Sequence, residues 1–499
     1  MPLCIRFVDR NLDIREELLE VCSLPRITGL HIANKIKDVL SQLGLDISDC
    51  RGQGYDGASN MSSNRVGVQA LIKQDAPKPV YMHCNGHCLN LVIAHACALP
   101  IVRNTLDKMK SIVNFFIFSP KKELLLTEVA KKDGHPAGLQ KTLIDVCRTR
   151  WAARHDAYSH FYNAFVFIVK ALEVIAFGLH KELYSRDVTT GWEGKHKQEA
   201  SGLLSGIEKF EFIITFLTVY NFLSHLAGIT VKLQSTSVDI IEAFNMVEEV
   251  KRVYKNLRAT VDTDFDKIYH HAVRMAAKID VEPAKPRTAS RMQHRANAPS
   301  ETVKEHFLRN MALPFIDHII SEMEARFSPL AVTSAKLLSL VPSVLCSKDT
   351  PVDITEAVDM YHDDLPSPEL MDQEMKRWRL KWEGIPPTLM PSTCAQAVKQ
   401  CDVHQYPNIL QLLKLACTLP VTSCECERSA STLRRLNTFM RASMNEDRLS
   451  ALAMIHTHYD MPVDLEETVN IFATLHPRRL ELVSILTPPK KTGVDEHTQ

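Results

Sequence analysis

The spacing of hydrophobic positions changes repeatedly over the first 150 residues. Leu3, Ile5 and Phe7 alternate in LCIRFVD (3–9), the period of a strand. In TGLHIANKIKDVLSQLGL (28–45), Ile32, Ile36, Val39, Leu40 and Leu43 recur as on one face of an amphipathic helix. ISDCRGQGYD then reads as a strand with a glycine-rich tip, GVQALIK (67–73) as a short helix and PVYMHC (79–84) as a further strand. Such alternation predicts an α/β domain with a mixed sheet.

From about residue 158 the period becomes helical throughout. Phe161, Phe165, Ile168, Leu172 and Ile175 form one stripe. Phe212, Phe216, Val219, Leu223 and Leu226 form a second, and Ile240, Phe244, Val247, Tyr254 and Leu257 a third. Stripes of this kind are core-facing helix faces. The polar stretch 281–301 interrupts them as a solvated loop; its Lys285, Arg287, Arg291 and Arg295 are suited to transient phosphate contact. Ser367-Pro368 starts a helix and the residues 383–387 stop it, with Trp378 and Trp382 four apart as core anchors. Beyond the double proline the chain is helical again, with a break at Leu419-Pro420, a cap at Ser423, a helix within 443–460, and a capping box at Asp464 and Glu467. The expected divisions are 1–157, 158–385, 386–480 and a tail at 481–499.

Composition narrows the function classes. Lys+Arg and Asp+Glu both number 59, so no global basic field marks a nucleic-acid binder, and a DNA surface has to be a local patch. The 13 cysteines are an odd number and the first residues lack the apolar core of a signal peptide. Reduced thiols in an intracellular compartment follow. The most apolar runs, 91–102 and 212–220, are too short to span a bilayer, so no membrane partner is expected.

Four stretches carry candidate chemistry. In RGQGYDGASN (51–60), Gly52, Gly54 and Gly57 allow the backbone to turn or to approach another group closely, and Asp56 is the single acid at the strand tip. Taken alone, this pattern favours an Asx-turn over a catalytic site. YMHCNGHCLNLV (81–92) holds His83, Cys84, His87 and Cys88. A structural zinc site needs four ligands converging from two segments, so local hydrogen bonding is expected in place of zinc. CRTRW (147–151) sets Arg148, Arg150 and Trp151 together, as suits phosphate contact with base stacking or a tryptophan packed on a core edge. TSCECERSAS (422–431) has Glu425 and Glu427 near a helix start, where the helix dipole favours negative charge.

Taken together and in this order, these stretches resemble the hAT superfamily of DNA transposases. More narrowly, they are similar to the branch found in zinc-finger MYM-type and THAP-domain host proteins derived from such transposons. RGQGYDGASNMS resembles the stretch with that family's second catalytic aspartate, here Asp56. HCNGHCLN contains its C-x-x-H element at Cys84 and His87. TRW at 149–151 matches its DNA-stacking tryptophan, Trp151, preceded by Arg148 and Arg150. CERSASTLRR matches the C-terminal segment with the catalytic glutamate, here Glu427, and the dimerisation helices. The resemblance implies an α/β plus all-α chain: an RNase H-like core interrupted by a long helical insertion and completed by C-terminal helices. It also implies that Asp56 and Glu427 meet in space and, in an active enzyme, hold Mg²⁺ or Mn²⁺.

Cut-and-paste chemistry uses two such metal ions about 4 Å apart, held by three carboxylates in this family. The first of these belongs on an opening strand ahead of the one that LCIRFVD resembles, and that strand is expected to be missing here. Asp9, the nearest acid, belongs to the far end of the next strand, in a hairpin. The leading expectation is therefore a transposase-derived protein with impaired catalysis that retains self-association through its C-terminal helices and a DNA partner. Two alternatives stand beside it: a fragment of an active metal-dependent transposase, and an intracellular interaction scaffold with no DNA role. A nuclear location follows from the family's DNA role alone, since the sequence has no clear basic import cluster.

Overall fold

The structure is a computed structural model describing residues 1–134, 143–145, 151–233, 240–286, 298–327, 336–347, 353–420, 424–436 and 444–475. It opens with an antiparallel hairpin, β1 (Pro2–Val8) and β2 (Ile14–Val21), with an irregularity in register at Leu3/Cys4. Helix α1 (Gly29–Gln42) follows, started by the Thr28 side chain, which accepts the His31 N–H. Then come β3 (Gly52–Tyr55), a single turn α2 (Ser59–Ser62), α3 (Val68–Asp75) and β4 (Val80–His83). β3 and β4 pair in parallel, Gly52 opposite Val80 and Tyr55 opposite His83. The expected mixed sheet is thus two separate two-stranded ribbons, and the strand expected over ISDCRGQGYD shrinks to four residues, Gly52–Tyr55, behind a 3₁₀ turn at Ile47–Asp49.

Two layers cover the ribbons. On one side α1 and α3 build a small core of Ile32, Ala33, Ile36, Val68 and Ile72, against which Leu3 of β1 and Tyr55 of β3 pack. On the other, β1 meets the helices Pro407–Thr418 and Cys424–Leu436. The outer edge of β2 is covered by the helix Glu446–Thr457: the Val21 N–H donates to Ser450 Oγ at 3.2 Å, and the His458 ring lies 3.1 Å from the Leu18 carbonyl. Covering that edge removes a site for unwanted strand pairing.

The remaining helices form one large apolar core that runs from Val80 to Leu419. α4 (Asn85–Ala96), α5 (Pro100–Ile117), α6 (Pro120–Lys132) and α7 (Trp151–Phe177) enter it first. α7 contains a 23-residue apolar stretch, His155–Phe177, long enough to cross a membrane by length and composition, which the shorter runs noted in the sequence did not reveal. Its stripe of Phe161, Phe165, Ile168, Leu172 and Ile175 is fully buried against neighbouring helices, as a core helix requires. The second stripe is equally buried; in the third, Phe244 is 38% exposed while its other members are covered. Trp378 and Trp382 are core anchors as expected, their rings 5.5 Å apart, with Trp378 Nε1 donating to the Leu340 carbonyl at 2.9 Å. Within the loop at 281–301, Lys285 donates to the carbonyls of Ser300 and Glu301, which ties its ammonium to the chain; Arg287, Arg291 and Arg295 lie outside the described residues.

Candidate nucleic-acid and metal site

Asp56 follows the last residue of β3 and is exposed. Its Oδ1 accepts the Ala58 N–H at 3.2 Å, so the local geometry is the Asx-turn that the residue pattern favoured. The glycines around it are there for close approach rather than for left-handed backbone, since none of Gly52, Gly54 and Gly57 has positive φ. A Cβ on Gly52 would stand 2.6 Å from Pro420 Cδ, and one on Gly54 would stand 2.6 Å from Pro420 Cβ. A Cβ on Gly57 would run into the His83 imidazole.

Pro420 is placed by a chain of contacts. Glu374, almost fully buried, accepts the backbone N–H groups of Asn408 and Ile409 and so caps the helix Pro407–Thr418 with negative charge at its start. At the other end of that helix, Arg6 of β1 donates from Nε to the Cys417 carbonyl at 2.8 Å. Arg6 also pairs with Glu16 of β2 at 2.5 Å, both side chains under a tenth exposed. Burial pushes the Glu16 carboxyl above the usual carboxylate range despite the guanidinium. β3 is fastened at its start by Arg51, which grips Asp364 in two parallel bonds of 2.8 and 2.5 Å. These contacts bring the strand that ends at Asp56 against the residue lying four positions before the helix Cys424–Leu436. Replacing Gly54 with alanine is expected to cost about 1–3 kcal/mol, because neither the strand nor a proline ring can give way. Urea denaturation measures it; an unchanged midpoint would contradict the close approach.

Glu427 lies on the helix Cys424–Leu436, but its side chain lies outside the described residues, as does that of Trp151, the first residue of α7. Arg148, Arg150 and Ser423 also fall outside them. Glu425, two positions before Glu427, is buried and paired with Arg428 at 2.7 Å. Asp9 sits in the hairpin turn, where its Oδ1 accepts the N–H groups of Asn11 and Asp13, so the structure uses it as a turn residue. Cys84 is buried at the start of α4 and His87 lies in the first turn of that helix.

His83, at the end of β4, departs from the local hydrogen bonding expected of its stretch. Its Nε2 is buried and has no hydrogen-bond partner among the described residues, and its ring lies 5.8 Å from that of His87. Burial holds the His83 imidazole below its ordinary value; the His87 and Arg326 charges add to this, and Asp56 opposes it. The unfolded chain therefore takes up this proton first. The contribution to stability is intact above the ordinary imidazole range and is lost as pH falls through the lower folded value. The melting temperature should drop between about pH 7 and pH 5, and drop less in His83→Gln. Equal falls in both proteins would contradict this.

Among the described residues no group of three or more His, Cys, Asp or Glu is arranged to hold a metal ion. Beside Asp56 the described side chains are the His83 imidazole and the Tyr81 phenol, neither of them the carboxylate that a hard oxygen-seeking cation favours. The described residues alone therefore do not make a Mg²⁺ site, and Glu427 would have to supply its second carboxylate.

Comparison with known proteins agrees with the motifs. Residues 1–67 match the family described as ZMYM1/FAM200, RNase-like domain, and residues 399–461 match the hAT family C-terminal dimerisation region. Similar curated proteins are the 52 kDa repressor of the inhibitor of the protein kinase from Homo sapiens, 28% identical over 489 residues, and from Mus musculus, 27% identical over 488. The matches cover 97% of this chain but 62% and 63% of those proteins, so the chain spans a little under two thirds of its curated relatives' length. An RNase-like segment is matched at the start of the chain and an hAT dimerisation region near its end, the two places where its motifs resemble hAT transposases.

Proposed function

We propose that this polypeptide is a self-associating, DNA-binding derivative of an hAT transposase, acting in the nucleus with impaired strand-cutting chemistry. The contact of Gly52 and Gly54 with Pro420 carries this reading, because it sets the strand that ends ahead of Asp56 against a residue four positions before the helix on which Glu427 lies. In it, the two ribbons between helical layers are an RNase H-like core, the residues 158–385 a helical insertion, and the segment 386–480 its completion and self-association region. Asp56 and Glu427 are the remaining motif acids and the ligands of any Mg²⁺ or Mn²⁺ that binds. Arg148, Arg150 and Trp151 form the DNA contact, two cations for phosphates and an indole for a base.

Duplex DNA binding measured across a salt series tests the proposal. Log affinity should fall linearly with log salt, by about 0.9 for each phosphate neutralised. Arg148→Ala and Arg150→Ala should each flatten the slope by about 1. Very weak binding that ignores salt would overturn the DNA role and favour a protein-interaction scaffold, the reading that zero net charge supports.

A further inference from the structure

Two half-buried cysteines far apart in the chain meet in the fold, Cys4 of β1 and Cys426 of the helix Cys424–Leu436. β1 packs against that helix. The hairpin's register is irregular at Leu3/Cys4, and an irregularity of this kind re-aims the side chain beside it. Cys4 shares a face of the strand with Arg6, which reaches the Cys417 carbonyl. From there the Cys4 S–H donates to the Cys426 sulfur, and the Cys4 N–H donates to the same atom. Both cysteines line a cavity of about 410 Å³ between the two ribbons, which gives a molecule as small as hydrogen peroxide room to reach them. The two bonds from Cys4 favour the Cys426 thiolate and lower its pKa, against burial and the nearby Glu16 and Glu425 carboxylates. Cys426 also lies in the first turn of its helix, where the backbone dipole favours negative charge. Burial raises the thiols of Cys50 and Cys346, the other half-buried cysteines among the described residues.

We propose that Cys4 and Cys426 are a redox-sensing pair, which a peroxide converts reversibly into a disulfide joining β1 to the helix Cys424–Leu436. The Cys426 thiolate attacks one oxygen of hydrogen peroxide. An S–O bond forms, the O–O bond breaks, and the departing hydroxide takes up a proton as water. The Cys4 sulfur then attacks the sulfur of the Cys426 sulfenic acid. The S–S bond forms, the S–O bond breaks, and the Cys4 proton leaves with the hydroxyl as a second water. Two thiols lose two electrons in total and one peroxide gains them. Side chains that already touch close such a bridge without a large backbone shift. A small thiol reverses it by exchange, as a sensor in a reducing compartment requires. The bridge ties the hairpin to a helix that lies within the matched dimerisation region and packs against the helix Glu446–Thr457. The proposal rests on this pair alone and is independent of DNA.

The test exposes the folded, reduced protein briefly to hydrogen peroxide, blocks the remaining thiols and digests it without reduction for mass spectrometry. The Cys4–Cys426 linked peptide is expected to exceed any other cysteine pair by about tenfold or more, because contact in the fold makes the closing step intramolecular. Dithiothreitol should remove the link. In the urea-unfolded chain the same pair should be among the rarest, since the loop between the two residues is so long. In Cys4→Ser the sulfenic acid has no thiol to attack it, so dimedone should label Cys426 there and leave it unlabelled in the wild type. A folded wild type that links this pair no more often than others would overturn the proposal, and so would equal linkage in urea. Dimedone labelling of Cys426 in the wild type, with no link formed, would overturn the role of Cys4. Both results are read on the wild type, so they hold even where the serine variant fails to fold.

Discussion

Arg6→Ala is expected to lower folding stability by about 3–5 kcal/mol. The guanidinium does two jobs at once. It is the partner of Glu16, a carboxylate under a tenth exposed, and it holds the end of the helix Pro407–Thr418 through the Cys417 carbonyl. Truncation leaves Glu16 buried with its Oε2 already lacking a hydrogen-bond partner among the described residues. The carboxyl then has to take a proton or draw in water. The hairpin also loses a tie to the helix that positions Pro420. Urea denaturation at neutral pH measures the loss. Arg6→Met combined with Glu16→Leu should recover most of it, because a buried ion pair contributes little beyond what apolar residues of similar size supply. A loss below about 1 kcal/mol in the single variant would show that the pair is hydrated and the hairpin held elsewhere.

Ile455→Asp together with Tyr459→Asp is expected to weaken self-association by about 100-fold or more, equivalent to about 2.7 kcal/mol. Both residues fall within the matched dimerisation region. They are 69% and 84% exposed, at the end of the helix Glu446–Thr457 and just beyond it. That helix meets β2 through Ser450 and His458 and packs against the helix Cys424–Leu436 with Ala453 buried, while Ile455 stays open. Further exposed apolar residues continue from Met461 to Leu475, a run of the kind that marks an interaction surface. Buried carboxylates at such a surface are strongly unfavourable, while in the isolated subunit both sites are open to water, so folding should be unaffected. Sedimentation across a concentration series reads the result. Unchanged association would place the interface elsewhere.

The sequence was most legible where one face of a regular element meets a core. α1, α3, β1, β4 and the buried helical stripes follow directly from their periods, and the Trp378–Trp382 pair from its spacing. β2 was not legible: IREELLEV is rich in glutamate and leucine, residues that favour helices, and it becomes a strand only through pairing with β1 and cover from a helix more than 400 residues away. Phe244 was expected inside because its stripe is regular, yet its own position on the helix falls at the surface. At the site, the glycines announced close approach or turning, and only the structure shows that Pro420 and His83 are what approach. His83 stood in the quoted motif, but the close approach of Gly57 to its ring is a relation that no local pattern encodes. Glu427, Trp151, Arg148 and Arg150 rest on motif order alone.

The most direct measurement is strand nicking of duplex DNA in Mg²⁺ or Mn²⁺ by the wild-type chain and by Asp56→Ala, with DNA binding followed in the same samples. A protein with impaired cutting chemistry should bind DNA equally well in both forms and nick it in neither. Metal-dependent nicking by the wild type that disappears in Asp56→Ala would contradict the account and show that Asp56 still serves a working active site.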